Sequence, residues 1–148
     1  MVEPHRLVSY SEAEELANWL SHGVAALLSL IGLVLLVITS ASTGDPYRII
    51  SCTIYGSVLF LFYLVSTLYH FLRNKKARYL FRILDHAGIY LVIAATYSPF
   101  TLISLRDGYG WALFGVVWGL AIAGVVFKSL MTHRLAFLAP VLYIALGW

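Results

Sequence analysis

Charge is what this sequence has least of. Only 11% of its 148 residues are Asp, Glu, Lys or Arg, against roughly 25% in a soluble domain. Too few polar side chains remain to coat a water-facing surface, which excludes an ordinary cytosolic enzyme and a disordered chain. Cysteine is nearly missing as well. A lone Cys52 cannot close an internal disulfide, so a disulfide-stapled secreted module is excluded. The sequence also lacks a Gly-rich phosphate loop, an internal repeat, a low-complexity tract and any nucleic-acid-binding module. Strict apolar/polar alternation, which a membrane barrel needs, is absent too. What is present is apolar: hydrophobic residues make up 61% and mean hydropathy is +0.85. The length suits one domain, and the composition describes an all-α integral membrane protein.

The few charges punctuate long apolar stretches. Glu15 and Asp45 bracket 29 uncharged residues, Arg48 and Arg73 bracket 24, Asp85 and Arg106 bracket 20, and Asp107 and Lys128 bracket 20. About 20 residues of helix cross a ~30 Å hydrocarbon core, and backbone in lipid must bond internally. Four transmembrane helices are therefore predicted near 19–40, 50–72, 84–105 and 109–129. After Arg134 only 14 residues remain, which reach ~21 Å as a helix. They read as a partial fifth span cut short, with a re-entrant or interfacial helix as the alternative. Four acids and one arginine in the first 18 residues oppose a secretory signal. Ser11-x-x-Glu14 has the form of a capping box, so a short amphipathic helix over about Glu12 to Asn18 is expected. The predicted organisation is thus a cytoplasmic segment, 1–18, followed by a transmembrane helical domain, 19–148. Pro99 is expected to kink or end the third span. Gly115, Gly119 and Gly124 are expected to permit close helix contact in the fourth.

Basic residues set the orientation. Arg73, Lys75, Lys76, Arg78 and Arg82 lie between the second and third spans, Arg6 precedes the first, and Lys128 and Arg134 follow the fourth. The other two loops hold only Arg48 and Arg106. A cytoplasmic N-terminus puts eight inside and two outside. Tyr47, Tyr109 and Trp111 then flank the outer loops as interfacial aromatics.

This orientation collects the chemistry-bearing residues at one membrane face. Ser66 and His70, four apart, share a helix face. A link of about ten residues to Asp85 makes the second and third spans antiparallel neighbours, so His70 and Asp85 can approach. A histidine beside a carboxylate suits a metal site or a proton relay. Spacing alone also allows plainer roles. His70 fits a solvated headgroup position, Asp85 a charge favoured by a helix N-terminus, Ser66 a hydroxyl bonded to its own helix, and His22 an interfacial anchor. His86 and His133 read as surface residues and His5 as tail. No H-x-x-x-H pair occurs, so the sequence offers no second ligand by periodicity.

Three ordered motifs resemble one family. Glu15-Leu-Ala-Asn18-Trp-Leu-Ser21-His22 resembles the E-x-x-N-x-x-[ST]-H opening of the haemolysin III family, within the progestin and adipoQ receptor superfamily that includes the adiponectin receptors. Ser66-Thr-Leu-Tyr-His70 resembles its S-x-x-x-H motif, and Leu84-Asp85-His86-Ala-Gly88-Ile89, continuing through Ser98-Pro99, its third-helix motif. The resemblance implies a seven-helix membrane fold, N-terminus inside, with zinc near the cytoplasmic side. It implies His70 as a zinc ligand, Asp85 as the contact to the zinc-bound water and Ser66 as its support. Two further ligands come, in the family, from an H-x-x-x-H motif in the last helix, which this sequence does not contain. Glu15, Asn18 and His22 form the remaining polar cluster.

Three functions follow as expectations. The first is zinc-dependent hydrolysis of an amide or ester lipid, ceramide-like by resemblance, with Asp85 as general base and Ser66 orienting the site. The second is a non-enzymatic regulator with structural zinc. The third is a pore-forming cytolysin, disfavoured because the spans lack polar stripes. Membrane lipids are the expected partners, a homo-oligomer is left open, and the cell membrane is the expected location.

Overall fold

A computed structural model describes residues 10–130 and 138–147. Among them are five α-helices and no strand: α1 Glu12–Ala41, α2 Pro46–Phe71, α3 Lys75–Pro99, α4 Gly110–Leu130 and α5 Leu138–Gly147, with a π-helical turn at Phe100–Ser104. Four are long and apolar enough to span a bilayer, the third counted through Ser104. At 1.5 Å per residue, α1 is ~45 Å long and α4 ~32 Å, against a ~30 Å core. The ten residues of α5 reach ~15 Å. The chain is a multi-pass helical membrane protein.

Two expected boundaries move. The capping box forms: Glu14 N–H donates to Ser11 Oγ at 3.3 Å and Ser11 N–H to Glu14 Oε2 at 2.8 Å. The helix it starts leads without a break at Asn18 and Trp19 into the first span. It runs on as α1, so its first turns stand proud of the hydrocarbon. The larger change is at α3. Asn74 caps it by accepting from Lys76 N and Ala77 N at 3.0 and 3.2 Å. The helix therefore opens about nine residues before the apolar stretch does. Only three residues, 72–74, link α2 to α3, not about ten. Asp85 lies three turns inside α3, away from the dipole of its N-terminus.

Pro99 bends the rule for prolines rather than ending the span. It has no N–H to donate, and the helix continues as a wider turn in which Leu105 N–H donates to Phe100 O, five residues back, at 3.1 Å. The Thr101 hydroxyl also donates to Tyr97 O at 2.8 Å, beside the Phe100 N–H that the same carbonyl accepts.

Each helix packs on the next, and α5 returns against α3 and α4. Small residues admit these approaches. Ala94, Ala95 and Ala121 are fully buried, and Leu146 of α5 joins Tyr90, Ala94, Val117 and Ala121 in one core. Gly56 of α2 receives Leu33 of α1, Gly88 of α3 receives Phe62 of α2, and Gly124 of α4 receives the Tyr90 ring of α3. Gly115 and Gly119 do not serve this purpose: a Cβ on either would meet no atom within 4 Å. The outward face of α1, with Leu27, Leu28 and Ile38 each more than 60% exposed, is apolar as a lipid-facing surface requires.

At one end of the bundle Gly44, at φ +67°, turns the chain into α2. Asp45 caps α2 at Tyr47 N and pairs with Arg106 Nη1 at 3.3 Å. Arg106 also lies 4.7 Å from the Tyr47 ring centre, and Tyr47 meets Trp111 edge-on at 6.0 Å. Of the aromatics read as outer-interface anchors, Tyr47 and Trp111 thus form one cluster with Asp45 and Arg106.

Candidate functional site

The opposite end gathers the residues singled out by pattern. His70, in the last turn of α2, has a side chain 8% exposed. Its Nδ1 is 2.8 Å from Glu15 Oε2 on α1. Arg78 of α3 donates through Nη2 to the other oxygen, Oε1, of the same carboxylate. Glu15 therefore ties three helices together with both its oxygens. His22 stacks parallel to His70, ring centres 5.9 Å apart and planes within 4°. Tyr69 flanks His70 at 4.6 Å, and Tyr10 meets it edge-on at 5.6 Å.

Asp85 stands on α3 with its side chain 17% exposed, and its contact is to His86, Oδ2 lying 3.5 Å from His86 Nδ1. Ser66 is buried at 2% exposure, one turn below His70. The backbone bond common to hydroxyls of membrane helices is made by its neighbour Thr67, to Tyr63 O at 2.7 Å. Asn18 is half-buried; its carbonyl accepts from Ser21 Oγ, and among the described residues its amide makes no bond to the cluster. His86 turns back on its own helix, Nδ1 to Arg82 O at 2.9 Å, while Tyr143 of α5 donates to its carbonyl at 2.9 Å. His5 and His133 lie outside the described residues.

Two members of the site escaped the sequence reading. Arg78 was counted as one of five topogenic loop charges, yet it stands on α3, where Arg78, Arg82 and Asp85 share a face at spacings of four and three. Tyr69 sits beneath the Arg78 guanidinium, 5.4 Å from its ring centre. Once α3 is known to begin at Lys75, that spacing is visible in the sequence.

The end carries unmet hydrogen-bonding capacity. Among the described residues, Tyr69 Oη, Arg78 Nε, Arg82 Nε and Arg82 Nη1 are buried without a partner. Beside the cluster a cavity of about 630 Å³ is lined by Glu15, Trp19, His70, Phe71, Arg73 and Arg78 among others. Neither Asp85 nor Ser66 lines it. For a metal, the donor chemistry of His70 fits: ligating histidines characteristically give their second ring nitrogen to a carboxylate. Among the described residues no three His, Cys, Asp or Glu side chains gather closely enough to enclose an ion. His70 could supply one ligand to a metal.

With these positions fixed, comparison with known proteins becomes informative. The family model described as Haemolysin-III related matches residues 10–148. The chain belongs to the haemolysin III family. It is 44% identical over 135 residues to Hemolysin-3 of Bacillus cereus, covering 91% of this chain and 62% of that protein. It is 42% identical over 135 residues to the Hemolysin-3 homolog of Bacillus subtilis (strain 168), covering 91% and 63%. Human monocyte to macrophage differentiation factor is 25% identical over 140 residues, covering 91% of this chain and 58% of that protein. The chain spans less than two thirds of the length of each of these relatives. No solved structure matches it. All three motifs quoted from the sequence fall inside the matched region of this haemolysin III-family chain.

Proposed function

We propose that this haemolysin III-family protein has a zinc-linked role in the lipid homeostasis of the cell membrane, with the cluster at the His70 end as its working site and an amide or ester lipid as substrate. The observation that carries the reading is the hydrogen bond from His70 Nδ1 to Glu15, a largely buried imidazole tied to a carboxylate at the edge of a cavity. His70 would hold the metal through one ligand, the others coming from outside the described residues. When bound, zinc supplies a Lewis acid that polarises a lipid carbonyl and makes a water ionise near neutral pH. Asp85, whose carboxylate lies 3.5 Å from His86 Nδ1, would serve as the proton acceptor. Ser66, buried one turn away, packs the α2 face from which His70 projects. Arg78, which lines the cavity, offers its guanidinium to a polar lipid headgroup.

The cytolysin reading rests on the relatives' names alone. The hydroxyls of Ser29, Ser51, Ser98 and Thr101 are each bonded to a backbone carbonyl three or four residues back rather than free to line a water-filled pore. The test is to express the protein from its gene, purify it in detergent, and measure zinc content and amidase turnover. His70→Ala is expected to lose both. Unchanged zinc and turnover in that variant overturn the proposal. Asp85→Asn is expected to keep zinc and lose turnover; if its cellular function survives intact, the regulator with structural zinc is the correct reading.

A further inference from the structure

We infer that Glu15 is a positioning residue for His70, fixing the imidazole tautomer so that Nε2 is the nitrogen offered to a metal; this rests on the zinc-linked reading above. The argument is one of donors and acceptors. A guanidinium has only N–H groups to give, so Arg78 requires an acceptor at Glu15 Oε1. A carboxylate so paired has no proton of its own, and its second oxygen, Oε2, is likewise an acceptor. The contact at 2.8 Å to His70 Nδ1 is then a hydrogen bond only if Nδ1 carries the hydrogen. In a neutral imidazole the lone pair is left on Nε2.

The placement of Glu15 also fixes the ring in space. It stands 55 residues from His70 and 63 from Arg78, so the bond exists only when α1, α2 and α3 are docked. Side-chain exposures of 16% for Glu15 and 8% for His70 limit the water around the bond to the cavity side and strengthen it. His22, stacked on one side, and Tyr69 limit rotation of the ring.

This arrangement predicts an inversion that a mere structural ion pair does not. In Glu15→Gln, Arg78 still demands an oxygen, so the amide oxygen turns to Arg78 and the NH₂ to His70. Nδ1 must then accept, and the ring hydrogen moves to Nε2. The experiment is a two-bond proton–nitrogen correlation spectrum of histidine-labelled protein, expressed from its gene, in detergent at mildly alkaline pH, with His70→Gln assigning the signal. Wild type is expected in the Nδ1–H form and Glu15→Gln in the Nε2–H form. Zinc titration of the same samples is expected to give a ~10–100-fold weaker affinity for Glu15→Gln. A wild-type ring in the Nε2–H form overturns the inference, even should the variant fail to fold. So does a folded Glu15→Gln protein with unchanged tautomer and zinc affinity. If the tautomer inverts but wild type binds no zinc, the zinc-linked function falls while the control of the ring by Glu15 stands.

Discussion

Gly124 and Gly119 lie five residues apart on α4, and the same substitution at each separates packing from helix propensity. A Cβ at Gly124 would lie 2.5, 2.6 and 2.8 Å from Cδ1, Cε1 and Cγ of Tyr90. Carbon atoms rest at about 3.5–4.0 Å, so ring and helix must separate by about 1 Å. Tyr90 is 2% exposed and its ring meets Tyr143 at 4.7 Å, which blocks retreat on that side. An apolar cavity of about 300 Å³ lined by Tyr90, Leu120 and Leu142 among others gives some room on another. Overpacking costs about 1–3 kcal/mol, and this partial relief puts Gly124→Ala at about 1–2. Gly119→Ala meets nothing within 4 Å. Both variants gain the same helix propensity, about 1 kcal/mol over glycine, so that contribution cancels between them. Gly119→Ala is expected to be more stable than Gly124→Ala by about 1–2 kcal/mol, a factor of roughly 5–30 in the folded-to-unfolded ratio. Reversible SDS unfolding in mixed micelles, followed by circular dichroism, measures the gap. Equal stability of the two variants would refute the packing of α4 on Tyr90.

Two further outcomes are expected. Ser98→Ala removes the acceptor of Trp118 Nε1, which donates to Ser98 Oγ at 3.1 Å across the α3–α4 interface. In membrane helices such a bond is worth about 0.6 kcal/mol and at most about 1.7, so the same unfolding assay should show a loss in that range, with Trp118 fluorescence altered. Asp45 and Arg106, with side chains 30% and 37% exposed, should couple by under about 1 kcal/mol in a double-mutant cycle and lose that coupling in high salt. A larger, salt-independent coupling would mean that the pair is far less solvated than its exposure indicates.

The zinc and tautomer experiments bear on the site, whose legibility in the sequence was uneven. Ser66, His70 and Asp85 stood out because motif and spacing marked them. Glu15 was visible only as part of a polar cluster, without its partner. Arg78 was hidden because a basic residue beside a span is ordinarily explained by topology alone, and hydropathy placed the start of α3 too late. Hydropathy sees where lipid begins. A helix begins where a cap such as Asn74 satisfies its first N–H groups.

The sequence by itself determined the four helices, among the described residues, that are long and apolar enough to cross a bilayer, because long uncharged stretches leave lipid as the only compatible solvent and helices as the only way to satisfy the backbone there. It also marked which end of the bundle holds the ionisable groups. Only the tertiary structure decided which of those groups meet. Glu15, His70 and Arg78 come from three helices, and local spacing carries no information about contacts across 55 and 63 residues. The glycines show the same division: Gly119 and Gly124 are one residue type on one helix, and only the presence of Tyr90 opposite the second makes its missing side chain matter.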